Sequence, residues 1–300
     1  MKRKVFGRTI TKLLFLVFGA VGVACTFTLP EESDFFGGSE SDGGQGQDST
    51  GTNLVEAGSD VEDVPDSGLD AGVQLEAAEL MIHYDFENIT GSTVPDVSTH
   101  GLTGTLKTRL DGGVLPATDP VGKVGKGLVL DGENEQYVEL PPSILLGLNQ
   151  MSVTCWLNKK TSVIWERLFD FNASPTVWVY FSPTGFNEDA GAPGTRFAIS
   201  SSTRLDPEMI LEEVVPTDSQ WHHVAVVLAP PHFFYYLDGV EKAHMTNMKI
   251  HPKDLGVTDK NWIGRSAHAT DSTLSARIDE FKVYSGGLTA KQVEAEAKQQ

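Results

Sequence analysis

The chain has 300 residues, with 41 acidic against 23 basic side chains, a formal net charge of −18 and two cysteines. Such an acidic balance argues against nucleic acid as a partner, and two cysteines exclude the disulfide framework of a small secreted scaffold. The length suits one large or two small domains; one is expected, because apolar content sufficient for a core is confined to the later part of the chain.

In chain order, Lys2, Arg3, Lys4, Arg8 and Lys12 precede an uncharged apolar run, Leu13 to Ala24. About twelve residues fall short of the roughly twenty that cross a bilayer, so residues 1–24 have the form of a signal peptide. No later run approaches transmembrane length. Gly22-Val23-Ala24-Cys25 resembles a bacterial lipobox, with Gly22 where leucine is usual. That resemblance implies that Cys25 is lipidated and holds the protein to the membrane of the bacterial cell envelope. The same small residues suit an ordinary signal peptidase, which would leave a secreted protein. Both routes lead to export.

No Lys or Arg occurs from Leu13 to Leu106, while acids such as Glu31, Asp34, Asp48, Glu62 and Asp70 accumulate among Gly and Ser. Residues 25–76 therefore read as an acidic, disordered, self-repelling tether. At Met81-Ile82-His83-Tyr84-Asp85-Phe86 the pattern turns to apolar alternation, and a folded domain is expected over 77–300. Strand signals recur at Gly127–Leu130, Tyr137–Leu140, Met151–Leu157, Arg167–Phe171, Val177–Phe181, Arg196–Ser200, His222–Leu228, Phe233–Leu237, Asn261–Ile263 and Ala276–Tyr284. Turn pairs such as Asp131-Gly132 and Asp238-Gly239 separate them. Short strands without an intervening helical period predict an all-β fold, a two-sheet antiparallel sandwich. One short helix is predicted after Thr289, a suitable N-cap, with Leu288 and Val293 to pack it.

Several segments, in order, resemble the laminin-G-like branch of the concanavalin A-like lectin and glucanase jelly rolls. They are Tyr84-Asp85-Phe86 with Gly91 and Gly104; Gly127 to Gly132; Arg167 to Phe171; Trp221-His222-His223-Val224-Ala225-Val226; Tyr236-Leu237-Asp238-Gly239; Asn261-Trp262-Ile263-Gly264-Arg265; and Ala276-Arg277-Ile278-Asp279-Glu280-Phe281. The likeness runs from about Leu80 to the C-terminus. It implies a jelly-roll sandwich and leaves function open, since such folds host lectins, hydrolases, adhesion modules and accessory domains.

Paired carboxylates for glycoside hydrolysis do not occur in the Glu-x-Asp-x-x-Glu spacing of this fold's laminarinase-type members, and Gly-x-Ser-x-Gly and zinc-ligand pairs are absent. His222 and His223, adjacent on a strand, point to opposite faces and cannot share an ion or a substrate. Cys155 reads as a small buried hydrophobe. The resemblance implies a structural calcium, for which Asp85 and Asp279 are the candidate ligands; acids at such places also pair with Arg or cap turns. A carbohydrate site needs exposed aromatic faces with a few polar groups. Trp165 and Phe186 are the candidates, near Trp178, Tyr180 and a Gly- and Pro-rich stretch at 187–195 that reads as an irregular surface insertion. Three functions compete: a non-catalytic surface module for glycan, an interaction lipoprotein that meets another envelope protein, and a glycoside hydrolase.

Overall fold

The computed structural model describes residues 73–299. The signal peptide, Cys25 and the tether up to residue 72 lie outside them. Among the described residues seventeen strands and one α-helix follow in order. The first eight strands are β1 (Leu80–Tyr84), β2 (Thr93–Val94), β3 (Gly104–Thr108), β4 (Ala117–Asp119), β5 (Gly127–Leu130), β6 (Gln136–Leu140), β7 (Met151–Asn158) and β8 (Phe169–Ser174). Then come β9 (Val177–Asn187), β10 (Ala192–Ser201), β11 (Arg204–Leu205), β12 (Met209–Ile210) and β13 (Trp221–Ala229). The chain closes with β14 (His232–Leu237), β15 (Val240–Met245), β16 (Lys260–Ile263), β17 (Ala276–Tyr284) and α1 (Ala290–Glu296).

They form two antiparallel sheets. The first runs β15-β14-β13-β7-β17-β5-β4, with β1 also paired to β17; the second runs β11-β10-β9-β8-β16-β6-β3-β2, with β12 also paired to β10. The core between them is built by alternation. Val224, Val226 and Leu228 of β13 meet Phe169, Phe171, Phe181 and Phe197 of the second sheet in one cluster with Tyr84, Phe233 and Phe281. Cys155 is fully buried in the same cluster and is a free thiol. The sandwich expected from the strand pattern is the one observed.

The outer face of the first sheet is also covered. Ala225, Val227, Phe234, Tyr236 and Tyr284 form a second cluster with Leu288 and Val293 of the α1 region, against which Val73, Leu75, Ala78 and Leu80 pack. Residues 73–76, the last of the stretch read as tether, thus lie against this face, and the Glu76 amide donates to Gln150 Oε1 at 2.9 Å. Helix α1 starts at the predicted Thr289 N-cap, where Thr289 accepts from the Gln292 amide and Gln292 reaches back to complete a capping box. Tyr284 Oη and Lys282 Nζ both reach Glu296 from β17, at 2.9 and 2.6 Å. His223 lies on this covered face, while His222 bridges Asp238 and Asp218 at 2.8 and 3.2 Å.

The stretch 187–195, expected to be irregular, is instead the tip of the β9–β10 hairpin. Gly191 makes the turn at φ 63°, and Gly194 serves close approach rather than looseness, since a Cβ there would lie 2.0 Å from the Leu211 carbonyl oxygen. Among the described residues no helix is long and apolar enough to cross a membrane.

Candidate functional site

The outer face of the second sheet is closed over in part by the 264–275 loop, whose Ala267 amide donates to Asp170 Oδ2 at 3.0 Å, and it carries Trp178 and Tyr180. In β9 the core takes Val177, Val179 and Phe181; period-two alternation therefore turns Trp178 and Tyr180 outward. Their rings lie 5.2 Å apart at 33°. Across the ladder, β8 sets Asp170 opposite Tyr180 and Asn172 opposite Trp178, and β10 sets Ala198 beside Tyr180.

The β7–β8 connection supplies Trp165 and Arg167. Trp165 adopts φ 71°, a left-handed conformation that costs a bulky residue about 1–3 kcal/mol and persists only where its surroundings hold it. Here the Trp165 amide donates to the Thr184 carbonyl at 2.8 Å. Beneath the loop, Lys159 and Glu166 form an ion pair with both side chains fully buried, and Lys159 Nζ also donates to Thr184 Oγ1 at 2.9 Å. Burial pushes the Lys159 pKa down and the Glu166 pKa up, each opposed by its partner's charge.

Arg167, 2 % exposed, ties the face together. Its guanidinium carbon lies 3.9 Å from the Tyr180 ring centroid and 5.6 Å from that of Trp165. Nη1 donates to the Trp165 carbonyl at 3.0 Å and Nη2 to Asp271 Oδ2 at 2.9 Å. Arg196 lies 5.0 Å from the Trp165 ring centroid and pairs with Glu208. Trp165, Arg167, Trp178, Tyr180, Glu208 and His268, with Thr270 and Asp271, line a depression of about 310 Å³. Tyr180 is pushed up to about 12, chiefly by burial, so its phenol stays protonated at neutral pH. The surface offers two half-buried indoles beside planar arginine–carboxylate pairs, a combination that stacks on sugar C–H groups and hydrogen-bonds hydroxyls.

Of the expected ligand residues, Trp165 lines this depression. Phe186 does not: it is half-buried at the hairpin tip, paired with Pro193, and its carbonyl accepts from Arg196 Nη1 at 2.9 Å. Arg167, Glu208, His268 and Asp271 were not expected. Their partners lie far off in sequence, but Trp178-x-Tyr180 on a strand signals a shared outward face.

Asp85 is half-buried and its Oδ1 accepts from the Glu87 amide at 3.1 Å, closing a turn. Asp279 is fully buried; Oδ2 accepts from the Lys123 and Val124 amides at 2.8 and 2.9 Å, and Oδ1 from the Glu280 amide at 2.8 Å. Burial nevertheless raises its pKa to about 6. Three amide donors occupy the oxygens a cation would need, and among the described residues no group of three or more His, Cys, Asp or Glu is placed to hold a metal ion. The side chains around Asp279 therefore do not compose a calcium shell. Cys25 lies outside the described residues.

The Laminin_G_3 family model, of the concanavalin A-like lectin/glucanases superfamily, matches residues 131–294. The chain belongs to this family. Among solved structures, this Laminin_G_3 chain is similar to domain 4 of AbnA, a GH43 extracellular arabinanase from Geobacillus stearothermophilus, determined in complex with arabinotriose. The two are 28% identical with a TM-score of 0.60, over 74% of this chain and 100% of that one. It is also similar to the binding domain of Paraclostridial Mosquitocidal Protein 1, at 12% identity and TM-score 0.52 over 73% of this chain and 51% of that one. The binding domain of botulinum neurotoxin DC in complex with SialylT is 9% identical, with TM-score 0.51 over 73% and 50%. The chain spans about half the length of these toxin domains, and at such identities they attest the fold alone. No curated protein matches the sequence.

Proposed function

We propose that this protein is an exported, lipid-anchored module that binds carbohydrate without transforming it. The observation that carries the reading is the Trp165–Arg167–Tyr180–Trp178 surface, where two half-buried indoles flank a buried Arg167–Tyr180 stack at the wall of one depression. Likeness over the full length of an arabinanase domain solved with arabinotriose supports a saccharide as the ligand class. The basic and apolar segments before Cys25 support export and anchorage in a bacterial envelope.

Residues 73–80 reach the domain on the outer face of the first sheet, across the sandwich from the aromatic face. The test is retention on immobilised glycans, wild type against Trp178→Ala. Trp178 is half-buried on the outer face, so its removal spares the core. Specific retention that falls about tenfold or more in the variant, in line with the 1–3 kcal/mol expected of a stacking aromatic, supports the reading. Retention unchanged by the substitution, or none by the wild type, refutes it.

A further inference from the structure

The Trp165–Tyr180 depression is one of a linked series. A depression of about 450 Å³ lies where β5, β7 and β17 meet, bordered by Asn158 and Arg277. A second of about 440 Å³ shares Thr161 and Ser275 with it. The second shares Asp271 with the aromatic groove of about 310 Å³. His268, on the groove, also borders a small hollow of about 90 Å³ beside Lys260. Recognition of a chain end needs one seat; a row of linked seats accommodates successive units of a polymer.

The charges along this row are largely balanced in place. Arg277 pairs with Asp119 at 2.6 Å, Arg109 with Glu135 at 3.3 Å and Arg167 with Asp271 at 2.9 Å, and Arg196 pairs with Glu208. Glu133, Lys160 and Lys260, the other charges on the lining, are of both signs. Between Lys160 at one end of the row and Lys260 at the other, an anionic sugar would have to draw arginines away from their carboxylates, and breaking a partly buried pair is costly. A neutral polyol meets donors and acceptors that are already fixed and needs no counter-charge.

We propose that the linked depressions bind an internal stretch of an uncharged linear oligosaccharide, several units at a time. The proposal rests on the carbohydrate reading of the same site and adds two properties to it, length dependence and preference for neutral chains. The test is titration calorimetry of the protein with linear arabinan, xylan and β-glucan oligosaccharides from dimer to hexamer, and with oligogalacturonides of equal length. Affinity for one neutral series should rise by about tenfold or more from dimer to hexamer, and the galacturonides should bind about tenfold more weakly. Thr161→Trp, which plugs the joint between the first two depressions, should flatten the rise, with circular dichroism confirming the fold. Equal affinity for dimer and hexamer, or a rise unaffected by Thr161→Trp, overturns the extended seat while leaving the carbohydrate reading intact. Tighter binding of galacturonides overturns the argument from charge. No heat from any saccharide sinks the carbohydrate reading itself, and the proposal with it.

Discussion

In a His223→Phe variant, the stability lost between pH 7 and pH 5 should be about 2 kcal/mol smaller than in the wild-type protein. His223 is 1 % exposed on the covered face of the first sheet, edge-on to Trp156 with centroids 5.2 Å apart, and its Nδ1 has no hydrogen-bond partner. Burial lowers its pKa from 6.5 to about 4; Glu296 of α1 and Asp238 of the β14–β15 turn oppose the shift, and Lys282 of β17 adds to it. Between those values the unfolded chain binds a proton that the folded chain does not. Stability from this group is therefore fully present above the unfolded pKa and is lost as pH falls toward the folded one. The whole gap corresponds to about 3 kcal/mol, of which about 2 falls between pH 7 and 5. Asp279 acts in the opposite sense: burial raises it from 3.8 to about 6, so the folded chain takes up that proton first and gains stability as pH falls through this range. The wild-type curve contains both effects, and only the difference between wild type and variant isolates the imidazole. Urea unfolding of both proteins at the two pH values measures it. Parallel curves would show that the imidazole is not held neutral beneath α1, and the account of this face would fail.

Lys159→Met alone should destabilise by about 3–5 kcal/mol, because Glu166 is left fully buried without its partner, whereas Lys159→Met/Glu166→Leu should recover most of the loss; a single variant as stable as wild type in urea would refute this. A chain beginning at Ala77 should melt about 5 °C below one beginning at Val73, since Val73 and Leu75 leave the second apolar cluster; equal melting would show that they contribute nothing. With the Asp279 oxygens occupied by amides, the melting temperature should be the same in calcium and in chelator, and a rise of several degrees in calcium would reveal a site formed some other way. Cys25→Ser should move the protein from the membrane to the soluble fraction, and continued retention would sink the lipid anchor.

The elements legible in the sequence are those whose own side chains state their environment. Trp221–Ala229 has apolar residues on both faces because a sheet layer covers one and α1 with residues 73–80 covers the other, and Asp238-Gly239, at φ 54° and 77°, makes the expected tight turn. Val240–Met245 shows no apolar alternation and is exposed or half-buried throughout; it is a strand because β14 offers an edge, and that reason lies outside the segment. The stretch at 187–195 misleads for a related cause, since glycine marks both freedom and close approach, and only the Leu211 backbone against Gly194 decides between them.

The candidate site divides along the same line. An outward Trp178 and Tyr180 follow from alternation, and Trp165 stands out by residue type. Arg167, which brings these rings onto one surface, is fixed by Asp271 across 104 residues of chain, a pairing that no local pattern encodes. Asp279, the expected calcium ligand, shows the converse case: its oxygens accept from backbone amides. An acid inside an apolar strand can face a cation or amide hydrogens, and here the Lys123–Val124 backbone, contributed by another part of the fold, took the oxygens first. In both cases the residue type was visible and the partner was not. What a polar side chain in this sandwich does is therefore set by which distant loop closes over it, so substitutions in the 264–275 loop should alter ligand preference more than substitutions within the strands it covers.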